Sequence, residues 1–335
     1  MKIFFVSVFF ALIVFICAWF LLNSVLSTYA ALPSGANPGQ KTIHIKPGQT
    51  FNTTARQLYE SGFIKNRFKF KLLARIKGYD KKIKTGEYVF SETMSPGQIL
   101  EMLCSGKVRL HRFTIPEGYN LNQIAERVEV AGFSSKQEFL NHAKHISGDG
   151  ALCYQARTYE GYLFPDTYFF SSDITAKQII STMFNRFKSV FSDKWEKRAK
   201  ELGFTVHQIV TIASIIEKET GDALEYSIIS SVFHNRLKKG MRLESDPTVI
   251  YGIKNFNGNI TRKDLTTLTP YNTYKIRGLP PGPIANPGAK ALKAALYPGD
   301  TNFLYFVSKN NGTHKFSTNF KDHNEAVLKY QLRKR

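Results

Sequence analysis

"IKPGQTFNTTARQLYESGF", residues 45–63, decides the fold, because the chain says it twice. "IPEGYNLNQIAERVEVAGF", residues 115–133, follows at an offset of 70, and Ile45/Ile115, Gly48/Gly118, Asn52/Asn122, Ala55/Ala125, Gly62/Gly132 and Phe63/Phe133 coincide. Each copy reads as the apolar end of a strand, a turn at glycine, and a helix that stops at the next glycine. A second pair of blocks follows at an offset of 80: "EYVF" (87–90) with "TYFF" (167–170), and "SPGQILEML" (95–103) with "TAKQIISTM" (175–183). The second copy therefore carries about ten extra residues. Repeats of this size mean repeated packing units, here strand, two helical patches, strand and helix.

Beyond the second copy the pattern changes. Residues 185–200 are charged and helical, and "FTVHQIVTIASIIEKETG" (204–221) opens with Thr205 and Gln208 in capping-box spacing and closes at Gly221. "YSIISSVFHNRLKKG" (226–240) and "AKALKAALYP" (289–298) read as helices, "FLYFVS" (303–308) and "THKFS" (313–317) as a hairpin, and "FKDHNEAVLKYQ" (320–331) as a closing helix. Strands and helices alternate without a β–α–β rhythm, so the class is α+β.

Ile3–Leu22 carries no charge and is long enough to span a bilayer, which predicts a transmembrane helix over residues 3–23. Lys2 precedes it and no Lys or Arg follows until Lys41, which puts residues 1–2 in the cytoplasm and the body outside. A cleaved leader ending near Ala30 is the competing reading, and the length of the apolar run favours an anchor. Residues 24–40 are small, polar and Pro/Gly-containing, a linker by composition. The repeat then divides the rest into residues 41–110 and 111–335, with the second copy over 111–190 and a core over 201–335. The net charge of +20 predicts an anionic partner. With the body outside the cytoplasm that partner is no nucleic acid. Anionic lipid headgroups and the carboxylates of a cell-wall polymer fit instead.

The chemistry concentrates in "IVTIASIIEKETGD", residues 209–222. On a helical wheel Glu217 falls between Val206 and Val210, and Glu219 between Ile212 and Ile215, while Lys218 points to the opposite side. Both carboxyls lie within the apolar arc, and the wheel does not choose between them. Either would have its proton held by apolar surroundings, as a general acid for glycosidic cleavage requires. No HExxH, CxxC, GxSxG, Walker or dinucleotide motif occurs, so neither a metal nor a cofactor is expected. Cys104 and Cys153 are candidates for a disulfide, without a spacing that decides it.

"EGYLFPDTY" (160–168), "ASIIEKET" (213–220), "VFHNRLKKGMRLESDPTVIYG" (232–252), "YNTY" (271–274), "GLPPGPIANPG" (278–288) and "LYFVS" (304–308) together resemble the MltG/YceG-like family, the endolytic murein transglycosylases of bacterial inner membranes. The likeness covers nearly everything after the linker. It implies an anchored extracytoplasmic body, a LysM-like module and a YceG-like catalytic domain. It also implies cleavage of nascent peptidoglycan strands to 1,6-anhydro-muramoyl ends, beside the synthases (penicillin-binding proteins), with no cofactor. It places the catalytic acid at Glu217. Glu160, Asp246, Asn272 and Tyr274 become candidates for substrate binding. Glu219 is left as a partner for a neighbouring basic group. One position departs from the pattern: Glu244 stands where the resemblance expects glutamine. A muramidase-type hydrolase and a non-enzymatic wall-binding scaffold are the alternatives.

Overall fold

The computed structural model describes residues 2–146 and 156–332. The chain opens with a 30-residue helix, α1 (Lys2–Ala31). The first repeat copy follows as β1 (Gln40–Ile45), α2 (Phe51–Glu60), α3 (Arg67–Ile76), β2 (Gly86–Ser91) and α4 (Pro96–Ser105). The second has the same order: β3 (His111–Thr114), α5 (Leu121–Val130), α6 (Lys136–Ala143), β4 (Thr167–Phe170) and α7 (Ala176–Val190). Helices α8 (Asp193–Glu201), α9 (Val206–Glu219), α10 (Tyr226–Lys238), α11 (Asp246–Gly252), α12 (Arg262–Thr266) and α13 (Ala289–Leu296) come next. The hairpin β5 (Tyr305–Ser308) and β6 (His314–Ser317), then α14 (Phe320–Val327), close the chain.

Equivalent devices build the two copies. Gly48 and Gly118 both adopt φ of 76°, and Gly62 and Gly132 adopt 83° and 75°, conformations that cost a side-chain-bearing residue. Thr50 caps α2 and Asn120 caps α5. Ser95 with Gln98, and Thr175 with Gln178, form the capping boxes of α4 and α7. The sequence match thus reports shared turns and caps as much as shared core.

Residues 1–112 with 169–173 form one compact unit, and residues 113–168 with 174–335 the other. In the first, β1 and β2 pair antiparallel from Gln40↔Ser91 to Ile45↔Gly86. Ile43, Ile45, Tyr88 and Phe90 point from them into a core shared with Leu58, Phe63 and Leu100. The expected linker is helical over its first eight residues, since α1 runs on to Ala31. Leu26 is buried in the same core, so packing overrides the small, polar composition that read as a flexible tether.

In the second unit, every residue of α9 from Ile209 to Ile216 is buried, which makes α9 a central helix rather than an amphipathic surface one. It packs against α10 and against α13, where Ala291, Ala294 and Ala295 permit close approach. The Thr205–Gln208 capping box forms as the spacing predicts. The other end differs from expectation: α9 stops at Glu219 because Thr220 turns extended, at φ −143°, without a left-handed Gly221. The β5–β6 hairpin is antiparallel as expected, pairing Tyr305↔Ser317 through Ser308↔His314. The proposed Cys104–Cys153 pairing falls outside the described residues at Cys153.

Candidate active site around the end of helix α9

Glu217 and Glu219 occupy the last turn of α9, where exposed carbonyls make a carboxylate unfavourable. Glu217 is half-buried. Its Oε1 accepts from the Tyr226 hydroxyl of α10 at 3.0 Å, and its Oε2 accepts from the Gly288 N–H, the N-cap of α13, at 2.9 Å. Burial raises its pKa, and Glu117 adds to that rise, while the Gly288 and Tyr226 bonds and Lys218 oppose it. The carboxyl therefore holds a proton more firmly than a free glutamate, yet meets two ready donors when it ionises. A group that must give a proton and then take one back needs both features.

Glu217 lies behind one wall of a cavity, next to the lining residues Gly118 and Lys218. That cavity of about 740 Å³ is lined by Gly118 and Lys218 at one end, by the amides Asn120, Asn122 and Gln123, and by Pro247, Ile250, Tyr251 and Phe256. A β-carbon at Gly118 would lie 3.5 Å from Glu217 Cγ, so the acid and the cavity share that wall.

Glu219 faces a different set of groups. It accepts a short hydrogen bond from the Ser245 hydroxyl. Burial pushes its pKa up to about 7, helped by the negative charge of Asp246 and opposed by Arg236. The Ser245 N–H donates to Thr273 Oγ1 at 3.0 Å, Thr248 and Thr273 pair their hydroxyls at 2.8 Å, and the Tyr274 hydroxyl donates to Asp246 Oδ1 at 2.7 Å. The "SDPT" and "YNTY" segments are thereby stitched together next to Glu219. Its direct partner is a hydroxyl, not the basic group expected, and Arg236 acts on it only through charge.

Glu160 joins three further pieces. It is 4% exposed and accepts from the Leu121 N–H that opens α5, from the Tyr251 hydroxyl at 3.0 Å and from Asn286 Nδ2 at 3.2 Å. Asn286 in turn accepts the Gly118 N–H on its backbone carbonyl and the Leu163 N–H on its Oδ1. Gly161, at φ 87°, leaves no room for a side chain, since a β-carbon there would meet the Pro283 ring at 2.5 Å. The "EGYLF" and "PPGPIANPG" segments thus interlock behind the Glu217 carboxyl.

The sequence-predicted residues divide accordingly. Asp246 is exposed and Tyr274 half-buried, joined to each other. Asn272 is 0% exposed, and its Nδ2 donates to the carbonyls of Asp264, Leu265 and Thr267. Its amide is engaged by its own loop. Glu160 is likewise buried, with its oxygens accepting from protein donors. Glu244, at φ 53°, turns its carboxylate to Arg236 Nη1 at 3.0 Å, so the departure from glutamine is balanced by a cation. His234 donates its Nε2–H to the Ala295 carbonyl at 2.9 Å, an ordinary helix-to-helix tie.

Glu117 escaped the sequence reading, which used "IPEG" only for its turn. A β-carbon at Gly288 would overlap the Glu117 carboxylate, so the missing side chain lets two carboxyls approach the same backbone position. The titratable groups acting on Glu217 are then Glu117 from the β3–α5 turn, Tyr226 from α10 and Lys218 from its own helix. Glu117→Gln removes a negative charge and should lower the Glu217 pKa. Gly288→Ala, whose φ of −76° suits alanine, should displace the Glu117 carboxyl and move Glu217 the same way. A carbon-detected NMR titration of Glu217 reads both, and an unshifted titration in both variants would remove Glu117 from the site.

The YceG-like family model matches residues 43–329. A Bacillus subtilis protein named endolytic murein transglycosylase is 35% identical over 304 residues, covering 86% of this chain and 84% of that protein. Streptococcus pneumoniae proteins of the same name are 28% identical over 332 residues, and the match spans 89% of this chain but only 60% of theirs. A 2.6 Å crystal structure of a yceG-like protein from Listeria monocytogenes superposes with a TM-score of 0.60 at 33% identity, covering 87% of this chain and 100% of that one.

Proposed function

The chain belongs to the YceG-like family, and from that premise we propose that it is a membrane-anchored peptidoglycan lytic transglycosylase with Glu217 as acid and then base. Relatives named endolytic murein transglycosylase make murein the substrate class. The observation that carries the catalytic assignment is the half-buried Glu217 carboxyl, proton-retaining through burial, facing two donors and packed behind Gly118 and beside Lys218, which line an open groove.

Protonated Glu217 gives its proton to the oxygen that bridges N-acetylmuramic acid and N-acetylglucosamine, and the bond from that oxygen to muramoyl C1 breaks. Positive charge develops at C1. Ionised Glu217, held by the Gly288 N–H and the Tyr226 hydroxyl, then takes the proton from the muramoyl C6 hydroxyl. The C6 oxygen closes onto C1 to give the 1,6-anhydro ring. The substrate supplies its own nucleophile, so intramolecular proximity replaces the second carboxylate of ordinary glycosidases. The exposed Asp246, joined to Tyr274, would orient the sugar or steady charge at C1.

Helix α1 is long and apolar enough to cross a membrane. In this reading it anchors the chain in the cytoplasmic membrane with residues 1–2 inside. The body then meets nascent strands next to the penicillin-binding proteins. Residues 41–110 serve as a LysM-like glycan-binding module. Mass spectrometry of the released strands tests the chemistry: ends at the anhydro-muramoyl mass support it, whereas ends heavier by one water identify a hydrolase.

A further inference from the structure

We propose that the groove beside Glu217 is a subsite for carboxylates of the peptide stems that murein strands carry, read by Lys144, Lys218 and Lys254. This inference rests on murein being the substrate. All three lysines are exposed and line the same cavity, and no aspartate or glutamate lines it with them among the described residues. None of the three is engaged in an ion pair among the described residues. Lys218 Nζ reaches only the Gly118 carbonyl, at 3.5 Å. Three ammonium groups left together repel one another, and the arrangement is relieved when an anion enters.

The rest of the lining suits a glycan with an acidic branch. Tyr251 and Phe256 offer apolar surface to sugar faces, Asn122 offers its amide, and Asn120 and Gln123, whose side-chain oxygens close the capping box of α5, offer their NH2 groups to hydroxyls and N-acetyl carbonyls. A glycan backbone of N-acetylated sugars is itself uncharged, so it gives the lysines nothing. The stem does. It is attached through the lactyl arm of the muramoyl ring whose C1 is cleaved, so its carboxylates must lie near the catalytic acid. Lys218, adjacent to Glu217 in the chain, is where the two ends of this argument meet. The same carboxylate chemistry has a second source, the bare lactyl group of a strand stripped of its stems.

Binding to the full-length Glu217→Gln protein in detergent tests this without turnover. The probes are labelled glycan fragments bearing stems with free carboxylates, fragments whose stem carboxylates are amidated, and stem-free fragments with bare lactyl groups. Free-carboxylate stems should bind about tenfold more tightly than amidated ones, and high salt should close the gap. Lys144→Ala combined with Lys254→Ala should reduce the discrimination toward unity. Equal binding of free and amidated stems, discrimination that survives the double substitution, or tightest binding of the stem-free fragments would each overturn the stem subsite. Failure of the activity reading is seen separately, as a native protein that releases no strands.

Discussion

Glu217→Gln is expected to lower the rate of strand release by about 10³-fold while leaving the protein folded, because positioned general acid–base catalysis contributes about 10²–10⁴. Glutamine keeps the size of the side chain and one acceptor oxygen for the Tyr226 hydroxyl or the Gly288 N–H. It has no proton of the required acidity to deliver and none of the basicity needed to recover one. A melting temperature near that of the native protein separates lost chemistry from lost structure. The decisive comparison is with Glu219→Gln. Both carboxyls are raised by burial, so titration alone would not distinguish them. Their surroundings do: Glu217 meets the start of α13 and the groove wall at Gly118, whereas Glu219 is spent on Ser245. If Glu219→Gln carried the large loss and Glu217→Gln remained active, the assignment would be reversed.

The sequence was legible where local rules govern. The offset-70 repeat turned into matched turns and caps, because glycines at positive φ and Ser/Thr/Asn caps are local demands that a sequence states directly. The wheel of α9 places both glutamates within the apolar arc and Lys218 on the opposite side, and in the fold both glutamates are partly buried while Lys218 is exposed. It could not choose between them, because the choice depends on what α13 and the "SDPT" segment bring from 26 or more residues away. The same limit hid Glu117, whose relation to Glu217 exists only because Gly288, far along the chain, lacks a side chain. Asn272 shows the same limit. The resemblance offers it as a ligand to the substrate, while in the fold its amide donates to three carbonyls of its own loop. A polar residue in a turn-rich segment serves the backbone as readily as a substrate. The overrun of α1 into residues 24–31 shows packing winning over composition, with Leu26 supplying the contact.

Glu160 should make stability fall as pH rises from about 5 to 8. Burial pushes its pKa from 4.5 to about 7, against the bonds from Leu121, Tyr251, Asn286 and Gly161. A carboxyl whose folded pKa is raised stabilises fully below its unfolded pKa and loses that contribution as pH climbs through the folded value. Here the window lies between 4.5 and about 7, and the loss comes to about 3 kcal/mol. Glu219, also raised to about 7, adds to the same slope. Histidines with lowered pKa values, His234 and His323, act in the opposite sense, so the informative quantity is the difference between native and Glu160→Gln proteins. Denaturant unfolding across this range should show a shallower decline in Glu160→Gln, and parallel curves would show that Glu160 does not titrate there. Glu160→Ala is the harsher change. It strands the Leu121 N–H, the Tyr251 hydroxyl and the Asn286 amide, each from a different segment of the chain, and should cost roughly 3–5 kcal/mol at neutral pH. Because those segments position Gly118 and the "PPGPIANPG" segment against Glu217, the alanine variant should also lose activity at temperatures where it remains folded. An alanine variant with native stability and native turnover would mean that the groove is held together without this carboxyl.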